Sequence, residues 1–287
     1  MLEIKKDPIK MYLIFNIGIC YVLGILELLF KNGQFYEILG IGFTFFPVIC
    51  AAITKRITKT KAKYHLSLKV WNNIRAWSFS AVVPGVMIVL GAVLYFVLFP
   101  QEYSGIFKYG MRLGTDAEFI IKNPLFLACT LVLLGAIMIP IQLLELGEEI
   151  GWRGWLLGFQ VEKYGEKKAV LINGFEWGIL HLPLIYFGFN YSLDNAGAPW
   201  TNMLMMVLVC IVLGIVFSYI TIRTENCMYA AIMHGVTNVI GELPVYMTIR
   251  MESGLLGPNP TGLLGMMFLF VLAIVLFIML KSKSVDK

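Results

Sequence analysis

Residues 201–222 read TNMLMMVLVCIVLGIVFSYITI, and none of these positions carries a charged side chain. A helix needs about 20 mainly apolar residues to cross the hydrocarbon core of a bilayer, so this stretch predicts a membrane-spanning helix. The complete set of such runs is 11–30, 35–53, 76–99, 125–147, 169–187, 201–222, 227–247 and 262–280. The chain is therefore predicted to be all-α, a polytopic membrane bundle of about eight transmembrane helices.

The composition of the 287-residue chain supports this fold class. Hydrophobic residues make up 59%, charged residues only 14%, and the mean hydropathy is +0.78. A soluble domain carries about 25% charged residues, which this chain lacks. The five cysteines are odd in number and include no CxxC pair, which argues against a disulfide scaffold or a zinc knuckle. A soluble enzyme, a disordered protein and a nucleic-acid partner are all disfavoured.

The basic residues predict an orientation. With a cytoplasmic N-terminus, the segments on the inner side hold 18 of the 23 Lys and Arg residues. This bias follows the positive-inside rule and places both termini in the cytoplasm, in what we expect to be a prokaryotic plasma membrane. No linker or internal repeat divides the chain, so residues 1–287 are predicted to form one membrane domain. Its N-terminal helices lie in 11–99 and its catalytic core at about 145–242.

The stretch 54–75 is strongly basic, with seven Lys and Arg residues and no acid. Its interspersed apolar residues and Trp71 are typical of a helix that lies on the inner leaflet and contacts anionic lipid. The alternative is a solvated loop whose charges only fix the topology.

Ionisable residues inside predicted spans are costly, about 2.5–3.5 kcal/mol each on insertion scales, and therefore need a reason. Nine charged or histidine residues in or next to the apolar runs stand out, and all of them except Glu27 fall between residues 145 and 242. They are Glu27, Glu145, Glu148, Glu149, Arg153, Glu176, His181, His234 and Glu242.

The first polar cluster lies in LLELGEEIGWRGWLL, residues 143–157. Glu149 and Arg153 are four residues apart, the spacing and order of a favourable helical ion pair. Glu148 lies about 100° around the helix from Glu149 and is poorly placed to share that cation. It is either an interfacial acid that meets water or a functional carboxylate. Glu145 and Glu176 are assigned to packing or to the lining of a cavity, and Glu242 to the outer mouth.

Two histidines lie on later spans. His181 follows Trp177 by four residues, and Pro183 beyond it is expected to bend the helix. His234 and Asn238 share a helix face, and their N–H groups suit an oxyanion. Each residue has a purely structural alternative, a satisfied core histidine or hydrogen-bonding glue between helices. Taken together, they predict a site that activates water: Glu148 as base, His181 holding the water or shuttling its proton, and His234 with Asn238 stabilising a tetrahedral oxyanion.

These residues resemble the three motifs of the CPBP family, the CAAX proteases and bacteriocin-processing enzymes, also called Abi. EExxxR is similar to Glu148–Arg153, HxxxN to His234–Asn238, and FxxxH to the stretch from Trp177 to His181, where Trp replaces the usual Phe. The likeness covers about 145–242, a third of the chain, and includes the Ras-converting CAAX prenyl endopeptidases.

The resemblance implies an intramembrane endopeptidase that acts on a prenylated or hydrophobic peptide substrate. Glu148 would activate water with His181 beside it, His234 and Asn238 would form the oxyanion site, and Glu149 and Arg153 would support the first helix. A non-catalytic immunity or scaffold protein of the same fold remains an alternative, and a proton-coupled transporter ranks last.

Metal dependence stays open at this point. Glu148, His181 and His234 could supply the three protein ligands of a catalytic zinc ion. Ligating imidazoles usually have an outer-shell acceptor, however, and the sequence identifies none. A metal-free site is therefore the favoured prediction.

Overall fold

The fold is that of a computed structural model, which describes residues 7–108, 119–120, 122–137, 144–250 and 254–282. Throughout these ranges the chain is dominated by helices, as the apolar runs predicted. A short antiparallel pairing of Ile106–Phe107 with Phe119–Ile120 is the strand structure within them.

The first two helices form a hairpin. Helix α1 spans Pro8–Phe30 and α2 spans Gln34–Thr58. Asp7 accepts hydrogen bonds from the first backbone N–H groups of α1 and caps it. Glu27, near the end of α1, accepts from the backbone N–H groups of Gly33 and Tyr36 at the start of α2. The buried acid that the sequence left unexplained therefore closes the hairpin.

The next helices are α3, Ile74–Leu98, and the short α4, Pro124–Ile137. A second short helix, α5, spans Leu146–Glu149 and leads into a π-helical segment at Ile150–Leu156. Helix α6, Leu157–Tyr164, follows the π-helical segment without a break. The sequence placed 148–168 outside the spans, but residues 151–158 are buried among other helices.

Four helices complete the bundle. They are α7, Glu166–Tyr186; α8, Trp200–Thr224; α9, Met228–Gly241; and α10, Met267–Met279. Pro183 lies within α7, which continues to Tyr186, and the proline ring packs on α1 at Gly24. One large cluster of buried apolar side chains includes residues of α1, α2 and α3 and of every helix from α7 through α10.

Glycines set how closely the central helices approach. On α7, a Cβ at Gly174 or Gly178 would lie 2.8 Å from the Cα of Ile211 or Val207 on α8. Gly151 likewise leaves room for Pro47 of α2, whose Cβ would be 2.5 Å from an added methyl group. Small residues at four-residue spacing are a common means of close packing between membrane helices. They fix α7 against α8 and the π-helical segment against α2.

Each of the eight predicted apolar runs contains a helix, but the number of membrane crossings stays a prediction. Among the described residues, five stretches are long and apolar enough to cross a membrane: Pro8–Phe30, Gln34–Thr58, Val70–Leu98, Glu166–Tyr186 and Trp200–Thr224. The predicted runs 125–147, 227–247 and 262–280 contain shorter helices, and part of the first, 138–143, lies outside the described residues. The predicted all-α membrane bundle is confirmed, and the chain is an integral membrane protein.

Candidate active site

Glu149 lies at the centre of a buried polar cluster. Its Oε1 accepts a hydrogen bond from Nη1 of Arg153 at 2.9 Å, and both side chains are fully buried. The same oxygen lies 3.0 Å from Nδ1 of His234 on α9. Spacing in sequence predicted the ion pair, which the structure shows, but gave no sign of the histidine contact. Glu149 is thus the hydrogen-bond acceptor for His234, a partner that the sequence did not identify.

Trp177 on α7 links the parts of this cluster. Its indole Nε1 donates a hydrogen bond to Oε1 of Glu148 at 2.5 Å. The ring makes edge contacts with His181 and His234, with centroid distances of 5.5 and 5.4 Å. The guanidinium carbon of Arg153 lies 4.3 Å from the indole centre, a cation–π contact in a desolvated setting. Trp177 therefore holds the Glu148 carboxylate in place as well as supplying the predicted aromatic surface.

His181 is oriented by its own helix. Its Nδ1 lies 2.8 Å from the backbone carbonyl oxygen of Trp177, one turn earlier. A carbonyl can only accept, so Nδ1 carries the proton and Nε2 of a neutral ring keeps its lone pair. The ring also packs on Phe43 of α2, with centroids 4.7 Å apart. Among the described residues, His181 makes no hydrogen bond to Glu148, and Trp177 lies between the two.

A second carboxylate joins Glu148 and His234. Ligand atoms of Glu145, Glu148 and His234 all lie within 4.8 Å of one another. Nε2 of His234 is 3.8 Å from Oε2 of Glu145. The structure therefore differs from the metal-ligand set Glu148, His181 and His234, because Glu145 takes the third place and His181 lies outside the group. The signal in the sequence was the three-residue spacing of Glu145 and Glu148, which puts them on one helix face.

This donor set fits a divalent cation such as zinc. Two carboxylates and one imidazole are three protein ligands, the number found in catalytic zinc sites. The contact of His234 Nδ1 with Glu149 is the outer-shell acceptor that ligating histidines usually have. A cation held by Glu145, Glu148 and His234 would supply Lewis-acid chemistry at this position.

Asn238, the fourth predicted site residue, lies one turn after His234 on α9 but is exposed. Within the described ranges, its side chain makes no hydrogen bond to another residue. Glu145 is also partly exposed, with 21% of its side-chain surface accessible. By contrast, Glu148 and His234 are only 4% and 6% exposed. The cluster thus opens to the surface on the side of Glu145 and Asn238.

Two other acids have structural partners. Glu176 accepts a hydrogen bond from Gln160 of α6 at 2.6 Å, and Gln160 in turn accepts from Asn173. This fits the packing role that the sequence assigned to Glu176. Glu242 is exposed at the C-terminal end of α9.

Comparisons with known proteins match the part of the chain that builds this cluster. A family model described as Rce1-like, type II CAAX prenyl endopeptidase Rce1-like, matches residues 123–240. The CAAX prenyl protease 2 of Methanococcus maripaludis is 25% identical over 131 residues. That alignment covers 45% of this chain and 45% of the relative, so less than half of the relative's length is represented.

The bundle and its buried acid–histidine cluster define a polytopic membrane protein with a buried polar centre. The matched region, residues 123–240, contains all three motifs, from Glu148 to Asn238. Over this region the chain is similar to the Rce1-like, type II CAAX prenyl endopeptidase family, which supports the resemblance to the CPBP family that the motifs carry.

Proposed function

We propose that the chain is an intramembrane endopeptidase that hydrolyses a peptide bond in a prenylated or hydrophobic, CAAX-like membrane substrate. The observation that carries the proposal is the buried Glu148 carboxylate. It is held by Trp177 and faces His234, within a region that matches a family of prenyl endopeptidases. The family match does not favour the alternatives of an immunity protein or a transporter.

In the proposed mechanism, Glu148 accepts a proton from a water molecule that attacks the scissile carbonyl. A carboxylate inside the protein is an effective base when it is held in one geometry, and general-base catalysis contributes about 10²–10⁴-fold. His181 stands on the other side of Trp177 with Nε2 able to accept, and it assists by relaying a proton to the leaving amine. Glu149 and Arg153 act through His234 and the indole rather than on the substrate.

His234 supplies the oxyanion site together with Asn238. Because Nδ1 donates to Glu149, the ring stabilises the oxyanion from Nε2 in its doubly protonated form, in which both nitrogens donate. The carboxamide of Asn238 is accessible from the surface and offers a second N–H donor once substrate is bound. This version needs no metal, whereas a neutral ring with a free Nε2 would ligate a cation beside Glu145 and Glu148.

A cleavage assay with the full-length protein tests the proposal. The probe is a synthetic farnesylated CAAX peptide with a fluorophore and a quencher on either side of the scissile bond, in proteoliposomes. We expect wild-type protein to cleave it and Glu148→Gln to lose at least about 10²-fold in kcat. The matched control is Glu162→Gln, an exposed acid on α6. Wild-type activity in Glu148→Gln would refute the role of Glu148, and no cleavage by wild-type protein would refute the substrate class.

The basic segment and the orientation belong to the same proposal. The bias of Lys and Arg favours cytoplasmic termini, and with that orientation the substrate peptide would be presented from the cytoplasmic side. Protease protection of N- and C-terminal epitope tags in right-side-out vesicles tests this orientation.

A further inference from the structure

A pocket at the C-terminal end of α2 has the charge of an anion site. Its volume is about 400 Å³. The residues that line it are Ala52, Lys55, Arg56, Lys59, Thr60 and Lys61. None of these described lining residues is acidic, and over the described part of the chain none of the four cations pairs with a carboxylate. The pocket is open to the surface and all four cations are exposed, so together they form a positively charged patch that attracts anions.

The wall of the pocket continues onto a surface suited to acyl chains. Ile49 and Ile53 lie on α2 just before the pocket and are 49% and 44% exposed. They belong to a helix that is long and apolar enough to span a membrane. An anionic group in the pocket would thus sit where lipid headgroups meet the apolar face of α2. A free phosphate ion would gain nothing from this apolar surface, whereas a phospholipid would use both parts.

The chain beyond the pocket is not a loose loop. His65 accepts a backbone hydrogen bond from Cys227, and Asn226 bonds the backbone N–H and carbonyl of Ser67 through its side chain. Further on, the hydroxyl of Tyr229 donates to the carbonyl of Val70. These bonds tie the basic segment to the turn between α8 and α9. The chain that leaves the pocket is thus anchored at its far end, which lowers the ordering cost of binding.

We propose that this pocket binds the phosphate headgroup of an anionic phospholipid, with the acyl chains along the Ile49 and Ile53 face of α2. Lys55, Arg56 and Lys59 contact the phosphate, and Lys61 closes the pocket from the loop. The inference does not depend on the proposed protease activity, because it rests on a different part of the bundle. It agrees with the first of the two accounts of the basic segment, a contact with anionic lipid.

Lipid titration of the full-length protein, followed by native mass spectrometry, tests this inference. The probes are dioleoyl phosphatidylglycerol and dioleoyl phosphatidylcholine. The pocket variant is Lys55→Gln/Arg56→Gln/Lys59→Gln. The control is Lys31→Gln/Lys69→Gln/Arg75→Gln, which removes three exposed charges outside the pocket. Thermal unfolding of all three proteins in detergent checks that they are folded.

We expect wild-type and control proteins to prefer phosphatidylglycerol, and the pocket variant to bind it roughly 100-fold more weakly, since each basic residue near an anionic surface contributes about 1 kcal/mol. An equal loss in the control would show a diffuse charge effect and overturn the site. Competition by millimolar inorganic phosphate would show a soluble-anion site and overturn the assignment to lipid. Equal binding of the two lipids by wild-type protein would also overturn it.

Discussion

His234 Nδ1 lies 3.0 Å from Oε1 of Glu149, the oxygen that also accepts the hydrogen bond from Arg153. The two residues are 85 positions apart in the chain and belong to different helices. This shared oxygen connects the ion pair of the first motif to the histidine of the third. It fixes the ring of His234 so that Nε2 faces Glu145 and Glu148, where the proposed chemistry takes place.

Arg153→Met should destabilise the protein, because it leaves the Glu149 carboxylate without its cation in a buried site. Removal of one partner of a buried pair costs about 3–5 kcal/mol. The double variant Glu149→Gln/Arg153→Met should recover much of that loss, since no buried charge is then unpaired. The free energy of unfolding in mixed micelles measures both. A double variant that is no more stable than Arg153→Met would contradict this account of the pair.

Trp177→Phe and Trp177→Ala should separate the two roles of the indole. The Phe variant keeps an aromatic ring between the histidines but loses the donor to Glu148, so we expect cleavage to fall by about 10-fold, the value of a lost hydrogen bond of about 1.4 kcal/mol. The Ala variant also opens a cavity, which costs about 3–5 kcal/mol of stability. Reporter cleavage and thermal unfolding are measured side by side. Equal stability of the two variants would contradict the packing role.

Gly178→Ala should force α7 away from α8, since the new methyl group would lie 2.8 Å from the backbone of Val207. We expect a destabilisation of about 1–3 kcal/mol, as for other overpacked sites. Gly40→Ala is the matched control, because a Cβ there meets nothing within 4 Å. The melting temperatures of the two variants in detergent provide the measurement. The prediction fails if both shift by the same amount.

Metal removal should leave the proposed activity intact. We expect protein treated with 1,10-phenanthroline and dialysed to retain its cleavage rate, and elemental analysis to find much less than one zinc per chain. The opposite result has a clear structural explanation. Loss of activity that zinc restores, together with loss of bound zinc in Glu145→Gln, would identify Glu145, Glu148 and His234 as ligands and displace the metal-free mechanism.

Asp7 should stabilise α1 in a pH-dependent way. Partial burial raises the pKa of Asp7, but hydrogen bonds from the backbone of Lys10 and Ile9 and the nearby Lys163 outweigh it and lower the pKa below its ordinary value. The charged carboxylate therefore contributes stability above the ordinary pKa, and this is lost as the pH falls through the lowered value.

We expect Asp7→Ala to cost about 1 kcal/mol at neutral pH, as for other helix caps. The difference from wild-type protein should shrink as the pH is lowered through the acidic range. Unfolding curves at several pH values measure it. A difference that stays constant with pH would contradict a role for the charge.

Much of the site was predictable along individual helices. The i, i+4 spacing gave the pair of Glu149 and Arg153 and placed His181 one turn after Trp177. Contacts between helices were not predictable in this way. The exchange of His181 for Glu145 beside Glu148 and His234 depends on how α5, α7 and α9 are rotated toward one another. The same rotation leaves Asn238 exposed, although it shares a helix face with His234.

The apolar runs were enough to predict a membrane helix bundle and the helices that carry its polar residues. Transfer of each residue into a bilayer is a local and nearly additive property, so apolar runs suffice to identify membrane helices. Which polar groups meet could be seen only from the packing of the helices. Those distances depend on the close approach of helices at Gly151, Gly174 and Gly178, where backbone contacts between distant segments set the rotation of every side chain in the cluster.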